Sequence, residues 1–262
     1  MTAQSSALPV TYLTVGEGPA ARRIAAIQQA GDPPGVVWMQ GFKSDMVSTK
    51  ATALAEWTQQ AGIALTRFDY SGHGQSDGRF EDGTLSRWLE ESAAVFTALT
   101  KGPQVVVGSS MGGHLALLLL RRLMATAPVQ AARIKALVLI APAWDMTEEL
   151  MWRRFPEAAK AAILEHGVWL RPSQYGDPYP ITRGLIEDGR DNLVGRTPWD
   201  PGRPVRIIQG RLDPDVPFNH AERLMQILTG ADQELIEVPD GEHRLSRPED
   251  IALLIDTIKS VR

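Results

Sequence analysis

Short runs of apolar and β-branched residues alternate along the chain with segments of helical periodicity. From the third run onward most are continuously apolar, which is typical of strands covered by helices on both faces. Strand–helix–strand alternation at this spacing predicts an α/β fold with a mostly parallel eight-stranded sheet. The predicted strands are Val10–Val15, Ile24–Gln28, Val36–Met39, Ala64–Phe68, Gln104–Val107, Ala136–Ile140, Val205–Gln209 and Glu234–Val238.

Helical periodicity predicts further helices between and after these strands. The last of them follows Ser246, which has the spacing of a capping box with Glu249, a pattern that satisfies free amides of the first turn. The helices before it are expected from about Val47 to Ala61 and from about Thr84, Met111 and Asn219.

Residues 142–200 lie between two predicted strands but form a connection much longer than an ordinary crossover. Long insertions in compact domains tend to be lids or binding elements. We therefore predict a cap that divides the α/β core into residues 1–141 and 201–262. A set of helices packed away from the functional site is the alternative.

The predicted cap holds four of the seven tryptophans of the chain, namely Trp144, Trp152, Trp169 and Trp199. Aromatic side chains above a functional site can contact an apolar part of a substrate. Packing within the cap is the alternative role for the same side chains. The candidates for substrate contact are Trp144, Trp152, Trp169 and Tyr175.

The pattern Gly-x-Ser-x-Gly, which marks the strained turn of a nucleophilic serine, occurs at 74–78 and at 108–112. That turn must lie between a strand and a helix. Ser110 meets this requirement, because a valine run precedes it and a leucine-rich helix follows it. Ser76 lies in a polar loop with no helix directly after it, and Ser109 is the structural neighbour within the turn. We therefore predict Ser110 as the nucleophile.

A serine hydroxyl needs a base, and the chain offers five histidines. His243 lies in the loop between the last strand and the last helix, where the edge of a sheet can present a base to the serine. The other four have simpler expected roles. These are a turn for His73, packing or capping for His114, a helix end for His166 and a solvated helix start for His220.

The histidine base needs a carboxylate that fixes the tautomer of its ring. The candidate is Asp213, in the loop directly after the predicted strand Val205–Gln209. Asp215, two residues later, is the competing candidate, and Asp69 is expected to be structural. For a developing oxyanion we predict two backbone amides as donors. One is that of Met111, after the nucleophile, and the other is that of Phe42, in the loop after the third strand.

Composition narrows the function classes. The chain has no cysteine, which excludes a thiol nucleophile and a thiolate metal site, and its net charge of −4 does not indicate a nucleic-acid groove. The longest apolar run, Leu115–Leu120, is far below the roughly 18 residues that span a bilayer. The N-terminus does not resemble a signal peptide. We therefore expect a cytoplasmic protein with no integral membrane segment, no metal and no cofactor.

Taken together, the elbow at 108–112, the stretch 68–76 and the loops holding Asp213 and His243 resemble the α/β-hydrolase superfamily. Gly41-Phe42, Thr49-Lys50-Ala51 and Gly167-Val168-Trp169 are similar to its palmitoyl-protein thioesterase branch, which also hydrolyses acyl glucuronides, and to bacterial relatives. This resemblance implies that Ser110, Asp213 and His243 form a catalytic triad. The loop at Phe42 begins with Gln40 where many such enzymes have histidine.

We therefore expect a serine hydrolase that cleaves carboxylic esters or thioesters through an acyl-serine intermediate. The expected substrate is a small-molecule ester or thioester, or an acylated protein such as a palmitoyl protein. A carbon–carbon bond hydrolase, a perhydrolase or a peptidase would have the same triad. A ligand-binding protein on a hydrolase scaffold is the non-enzymatic alternative, which three intact catalytic loops argue against.

Overall fold

A computed structural model describes residues 8–172 and 177–262 of the chain. Each of the eight predicted strands is present in one eight-stranded sheet, and a separate two-stranded hairpin was not predicted. The strands are β1 (Val10–Val15), β2 (Arg22–Gln29), β3 (Asp32–Met39), β4 (Ile63–Phe68), β5 (Gln104–Ser109), β6 (Ile134–Ile140), β7 (Val168–Arg171), β8 (Tyr179–Thr182), β9 (Val205–Gly210) and β10 (Gln233–Val238).

The sheet has the strand order β1-β2-β4-β3-β5-β6-β9-β10, and β7 pairs with β8 in the hairpin. β2 runs antiparallel to β1 and β4, and every other pair in the large sheet is parallel. The prediction of a mostly parallel sheet is therefore confirmed. Parallel strands end at one common edge, which is where α/β folds place their functional loops.

Helices cover both faces of the sheet, as the continuously apolar strands predicted. The helices are α1 (Thr49–Ala61), α2 (Leu85–Leu99), α3 (Met111–Thr126), α4 (Pro128–Ala131), α5 (Glu157–His166), α6 (Arg183–Gly189), α7 (Phe218–Ile227) and α8 (Pro248–Val261). Within the described ranges, no helix has both the length and the hydropathy needed to cross a bilayer.

The pleat of β5 shows how the two faces are filled. Val105 and Val107 belong to one buried cluster with Leu54 of α1 and Leu254 of α8. Val106 belongs to the opposite cluster, which is built with α2 and α3. Alternate residues of a strand point to opposite faces, so an apolar run is buried on both sides.

The last helix begins one residue later than the sequence pattern indicated. Its N-cap is Arg247, and the carboxylate of Asp250, not Glu249, accepts the Arg247 amide proton at 2.9 Å. Pro248 takes the first helical position, where its missing N–H costs nothing. Ser246 lies outside the helix, and its hydroxyl donates to the carbonyl of Arg244.

Between β6 and β9 the chain leaves the sheet as residues 141–204, called the β6–β9 segment below. The sequence pattern predicts that this segment begins helical, from Met146 to Glu165, and the structure is helical over most of that range but in separate parts. The structure has a π-helical turn at Met146–Met151, a 3₁₀ turn, and then α5, which begins after Pro156. Proline cannot donate to the preceding turn and disfavours helical geometry in the residue before it, so the two parts are separated.

The two ends of the β6–β9 segment are joined at one buried carboxylate. Asp145 accepts the amide protons of Val194 and Gly195 at 2.6 and 3.0 Å. Beside it, Trp144 stacks on His220 of α7 with ring centroids 4.3 Å apart. The start and the end of the segment are thereby fixed to each other and to the core.

Candidate active site

Ser110 occupies the turn between β5 and α3. Its backbone angles, φ 52° and ψ −116°, are ones that residues other than glycine rarely adopt. Non-glycine residues in such regions cost of order 1–3 kcal/mol and cluster at functional sites. The glycines on either side are required by space. A Cβ on Gly108 would collide with the Gly112 carbonyl, and a Cβ on Gly112 would collide with the Met39 carbonyl.

His243 reaches Ser110 from the loop after β10. Its Nε2 atom lies 3.1 Å from the Ser110 hydroxyl oxygen, and its Nδ1 atom lies 2.8 Å from an oxygen of Asp213. Ser110 and His243 are partly exposed, whereas Asp213 is buried. The structure therefore brings together the three side chains that the sequence selected from different parts of the chain.

The Asp213 carboxylate is held by several donors besides the histidine. One oxygen accepts the amide protons of Asp215 and Val216 at 2.9 and 2.8 Å. The other accepts from the side-chain amide of Gln209 at 3.1 Å. Asp215 contributes its backbone to this arrangement while its side chain is exposed. Asp213, rather than Asp215, is thus the carboxylate bonded to His243.

The residues around Asp213 also include side chains of the types that bind metal ions. Among residues 8–172 and 177–262, Asp213, Asp215 and His243 offer ligand atoms within 4.8 Å of one another. The hydrogen bond between Asp213 and His243, together with the amide that Asp215 donates to Asp213, accounts for this proximity without an ion.

Two backbone amides beside Ser110 are unpaired. In the described ranges, the N–H groups of Phe42 and Met111 have no acceptor within hydrogen-bonding distance. A Cβ on Gly41 would lie 3.3 Å from the Ser110 Cβ, so the loop that holds Phe42 passes directly beside the serine. Unpaired donors at this position can serve a negatively charged oxygen.

The competing candidates from the sequence lie in structural hydrogen bonds. The Ser76 hydroxyl donates to the Asp69 carbonyl at 2.6 Å and accepts the Ala25 amide proton at 2.8 Å. The Asp69 carboxylate accepts the amide protons of Met46 and Gln75 at 2.7 and 2.8 Å. Asp69 thereby ties the loop after β3 to the loop after β4.

The side chains of the remaining histidines make their hydrogen bonds and ring contacts with residues other than Ser110. His114 is fully buried with Nε2 3.0 Å from the Asn192 carbonyl oxygen, and His166 ends α5 as expected. The prediction that His220 is solvated was wrong, because its side chain is fully buried, with Trp144 stacked on the ring. Burial lowers the pKa of His73, His114 and His220 to about 4.

A cavity of about 660 Å³ lies over Ser110 and His243. Its wall has an apolar part contributed by the loop after β3, the π-helical turn and the Asp213 loop. It also has polar and charged side chains of both signs. The apolar lining includes Phe42, Met146, Leu150, Met151, Tyr179 and Val216, and the polar lining includes Ser48, Lys50, Arg171, Asp177, Asp215, Arg244 and Ser246.

Trp144, Trp152 and Trp169, the candidates of the β6–β9 segment that the structure describes, are not part of this lining. Trp144 is buried against His220, Trp152 packs under the Lys160 and Arg190 cations, and Trp169 meets the edge of Phe155. These contacts agree with packing, the alternative role stated above. Tyr175 lies outside the described residues.

Lys50 is a cavity residue to which sequence reasoning gave no role. Its ammonium donates to the carbonyl of Arg244 and, at 3.2 Å, to the hydroxyl of Ser246. Burial, with the Arg244 cation nearby, lowers the pKa of Lys50 to about 8. The available signal was the Thr49-Lys50-Ala51 stretch, which matched the family without a function attached.

The sequence matches a known protein family and is similar to several of its members. Residues 34–252 match the alpha/beta hydrolase family. The mitochondrial palmitoyl-protein thioesterase of Bos taurus is 32% identical over 232 residues, which is 87% of this chain and 72% of the relative.

Solved structures agree with this match. A proposed hydrolase from Agrobacterium vitis S4 is 42% identical with a TM-score of 0.94, over 98% of this chain and 99% of the other. The mouse alpha/beta hydrolase domain-containing protein 10 is 28% identical with a TM-score of 0.83, over 96% and 97%.

Proposed function

From the premise that this chain belongs to the alpha/beta hydrolase family, we propose that it is a serine hydrolase of carboxylic esters or thioesters. One observation supports this most directly, namely the continuous hydrogen-bonded series from Ser110 through His243 to Asp213. A serine hydroxyl is a weak nucleophile alone, and an imidazole held by a carboxylate is the base that activates it.

The reaction proceeds in two halves. His243 Nε2 takes the proton of Ser110 as the serine oxygen attacks the acyl carbonyl carbon. The resulting oxyanion accepts hydrogen bonds from the Phe42 and Met111 amides. His243 then gives its proton to the departing alcohol or thiol, which leaves an acyl-serine. Water, deprotonated by His243, attacks the acyl-serine and releases the carboxylic acid and free Ser110.

The acyl group lies along the apolar wall of the cavity. Leu150 and Met151 are buried side chains of that wall, on the π-helical turn of the β6–β9 segment. The segment acts as the cap over the site in this proposal. Similarity to a palmitoyl-protein thioesterase supports an acyl thioester among the substrates, carried by a small molecule or by a protein.

Covalent labelling with a fluorophosphonate tests the proposal. The wild-type chain should be labelled, and Ser110→Ala should not be. Ser76→Ala is the matched control, because it alters the other Gly-x-Ser-x-Gly pattern, and it should still be labelled. Hydrolysis of p-nitrophenyl esters should fall by more than about a thousandfold in Ser110→Ala.

Other outcomes would contradict the assignment. Labelling retained in Ser110→Ala would show a different nucleophile. Tight binding of an ester or thioester by the wild-type chain with no turnover and no labelling would favour a ligand-binding protein. Comparing kcat/KM for matched oxygen esters and thioesters decides between the two bonds.

A further inference from the structure

His73 lies beneath the loop that holds the Phe42 amide, although the proposed reaction gives it no task. It is buried in the loop after β4, and its ring meets Phe80 and Trp88 with centroids 5.2 and 5.3 Å away. Phe42 packs against the same two rings at 4.9 and 5.9 Å. His73 and Phe42 therefore belong to one aromatic cluster.

The two ring nitrogens of His73 have different partners. Nδ1 lies 3.1 Å from the Ser71 carbonyl oxygen, which can only accept, so Nδ1 carries the proton. Nε2 lies 3.2 Å from the Lys43 amide, which can only donate, so Nε2 presents its lone pair. The contacts thus select a single tautomer. Burial lowers the pKa of His73 to about 4, which keeps that lone pair free at neutral pH.

The Lys43 N–H belongs to the peptide bond between Phe42 and Lys43, and the backbone of Lys43 is strained. Lys43 has φ 56°, in the left-handed region that side chains seldom adopt. Such a conformation costs of order 1–3 kcal/mol and persists only where the surroundings hold it. The hydrogen bond to His73 Nε2 fixes this peptide plane. It thereby also limits rotation of the Phe42 residue that precedes it.

We propose that His73 is a positioning residue for the oxyanion hole, accepting the Lys43 amide proton so that the Phe42 amide stays directed at the space beside Ser110. The proposal rests on the function given above, in which Phe42 is one of two oxyanion donors. The side chain of His73 acts through Lys43 and does not touch the substrate.

Two conservative substitutions separate this role from simple support of the turn at Ser71. The terminal oxygen of glutamine can reach the place of Nε2, so His73→Gln keeps an acceptor for Lys43. The nitrogen of asparagine reaches only the place of Nδ1, so His73→Asn keeps the donor to Ser71 and loses the acceptor. The two roles therefore predict opposite rankings of the variants.

For the positioning role, kcat on p-nitrophenyl esters should fall about 10- to 100-fold in His73→Asn, with KM nearly unchanged. This is less than the hundred- to thousandfold loss typical of deleting an oxyanion donor. His73→Gln should retain most of the activity. A trifluoromethyl ketone forms an oxyanion on Ser110, so its Ki should rise in proportion to the loss in kcat/KM.

Several results would overturn the proposal. Activity in His73→Asn equal to or above that of His73→Gln would leave only a turn-supporting role. ¹⁵N NMR of the wild-type chain needs no variant to fold, and a proton on Nε2 would exclude acceptance from Lys43. A wild-type chain with no esterase activity or labelling would overturn the proposed function as well, whereas these other results leave that function standing.

Discussion

The Nε2 atom of His243 lies 3.1 Å from the hydroxyl oxygen of Ser110, although 133 positions separate the two residues in the chain. Their strands are not neighbours, because β6 and β9 lie between β5 and β10. The contact therefore depends on the loops at the carboxyl edge of the sheet rather than on strand pairing. Small changes in these loops should affect activity before they affect stability.

Asp213→Asn should lower kcat on esters by about a thousand- to ten-thousandfold, because an amide cannot stabilise the imidazolium that forms on His243. Steady-state kinetics on purified protein would measure this. Asp215→Asn is the matched control, since its side chain is exposed and only its backbone bonds to Asp213. A larger loss of kcat in Asp215→Asn than in Asp213→Asn would indicate that Asp215 is the carboxylate that supports His243.

Gly41→Ala should reduce kcat about 10- to 100-fold with little change in the unfolding midpoint. The new Cβ would lie 3.3 Å from the Ser110 Cβ and 3.9 Å from its hydroxyl oxygen, in the space that the reacting carbonyl needs. Gly184→Ala in α6 is the control, because the nearest atom to its Cβ is 4.0 Å away. Unchanged kcat in Gly41→Ala would place the substrate elsewhere.

Leu150→Trp should restrict the enzyme to shorter acyl chains, because the larger side chain fills part of the cavity along the apolar wall. We expect kcat/KM for long-chain p-nitrophenyl esters to fall at least tenfold while acetate and butyrate esters are little affected. Leu164→Trp on the exposed face of α5 adds the same volume outside the cavity and should change neither value. An equal loss for all chain lengths would indicate general disruption instead.

Gly74→Ala should destabilise the fold by about 3 kcal/mol or more, through strain and collision together. Gly74 has φ 47°, and a Cβ there would collide with the Asp69 carboxylate. Gly202→Ala isolates the strain, because Gly202 has φ 65° with nothing within 4 Å of its Cβ, and it should cost only about 1–2 kcal/mol. Urea unfolding measures both, and equal losses would refute the collision.

Stability should decrease as the pH falls from about 6.5 towards 4. Burial lowers the folded-state pKa of His73, His114 and His220 to about 4, so only the unfolded chain takes up protons on them in this window. Each contributes a slope of about 1.4 kcal/mol per pH unit. The pKa values of Asp69, Glu91 and Asp145 are raised by burial, and proton uptake by these folded carboxyls opposes the loss at lower pH.

Urea unfolding at several pH values would measure that slope. It should be shallower in His220→Gln than in the wild type at pH 5–6. A slope that is the same in His220→Gln and the wild type would contradict the assignment to His220.

The sheet and the positions of Ser110, Asp213 and His243 could be predicted because each depends on local sequence. A valine run before Gly-x-Ser-x-Gly defines the turn at Ser110. The other two residues lie in the loops that follow β9 and β10, and parallel strands end at one edge. The distances among the three side chains were beyond reach of the sequence, since they depend on loop conformations.

The apolar wall and the burial of His220 could not be predicted because they depend on tertiary contacts. Met151 reaches the cavity from a π-helical turn, a rare form of helix that a sequence pattern does not identify. His220 follows Pro217 at a polar helix start, which resembles a solvated position. It is buried by tertiary contacts, among them the stacking of Trp144 from a distant part of the chain.

The Asp145 carboxylate, which joins the entrance and exit of the β6–β9 segment, has a consequence for how such chains diversify. The segment departs and returns at nearly the same point, so its length and sequence can change without altering the spacing of β6 and β9. Grafting a relative's segment between Asp145 and Val194 should exchange acyl selectivity as a module, with the catalytic machinery left where it was.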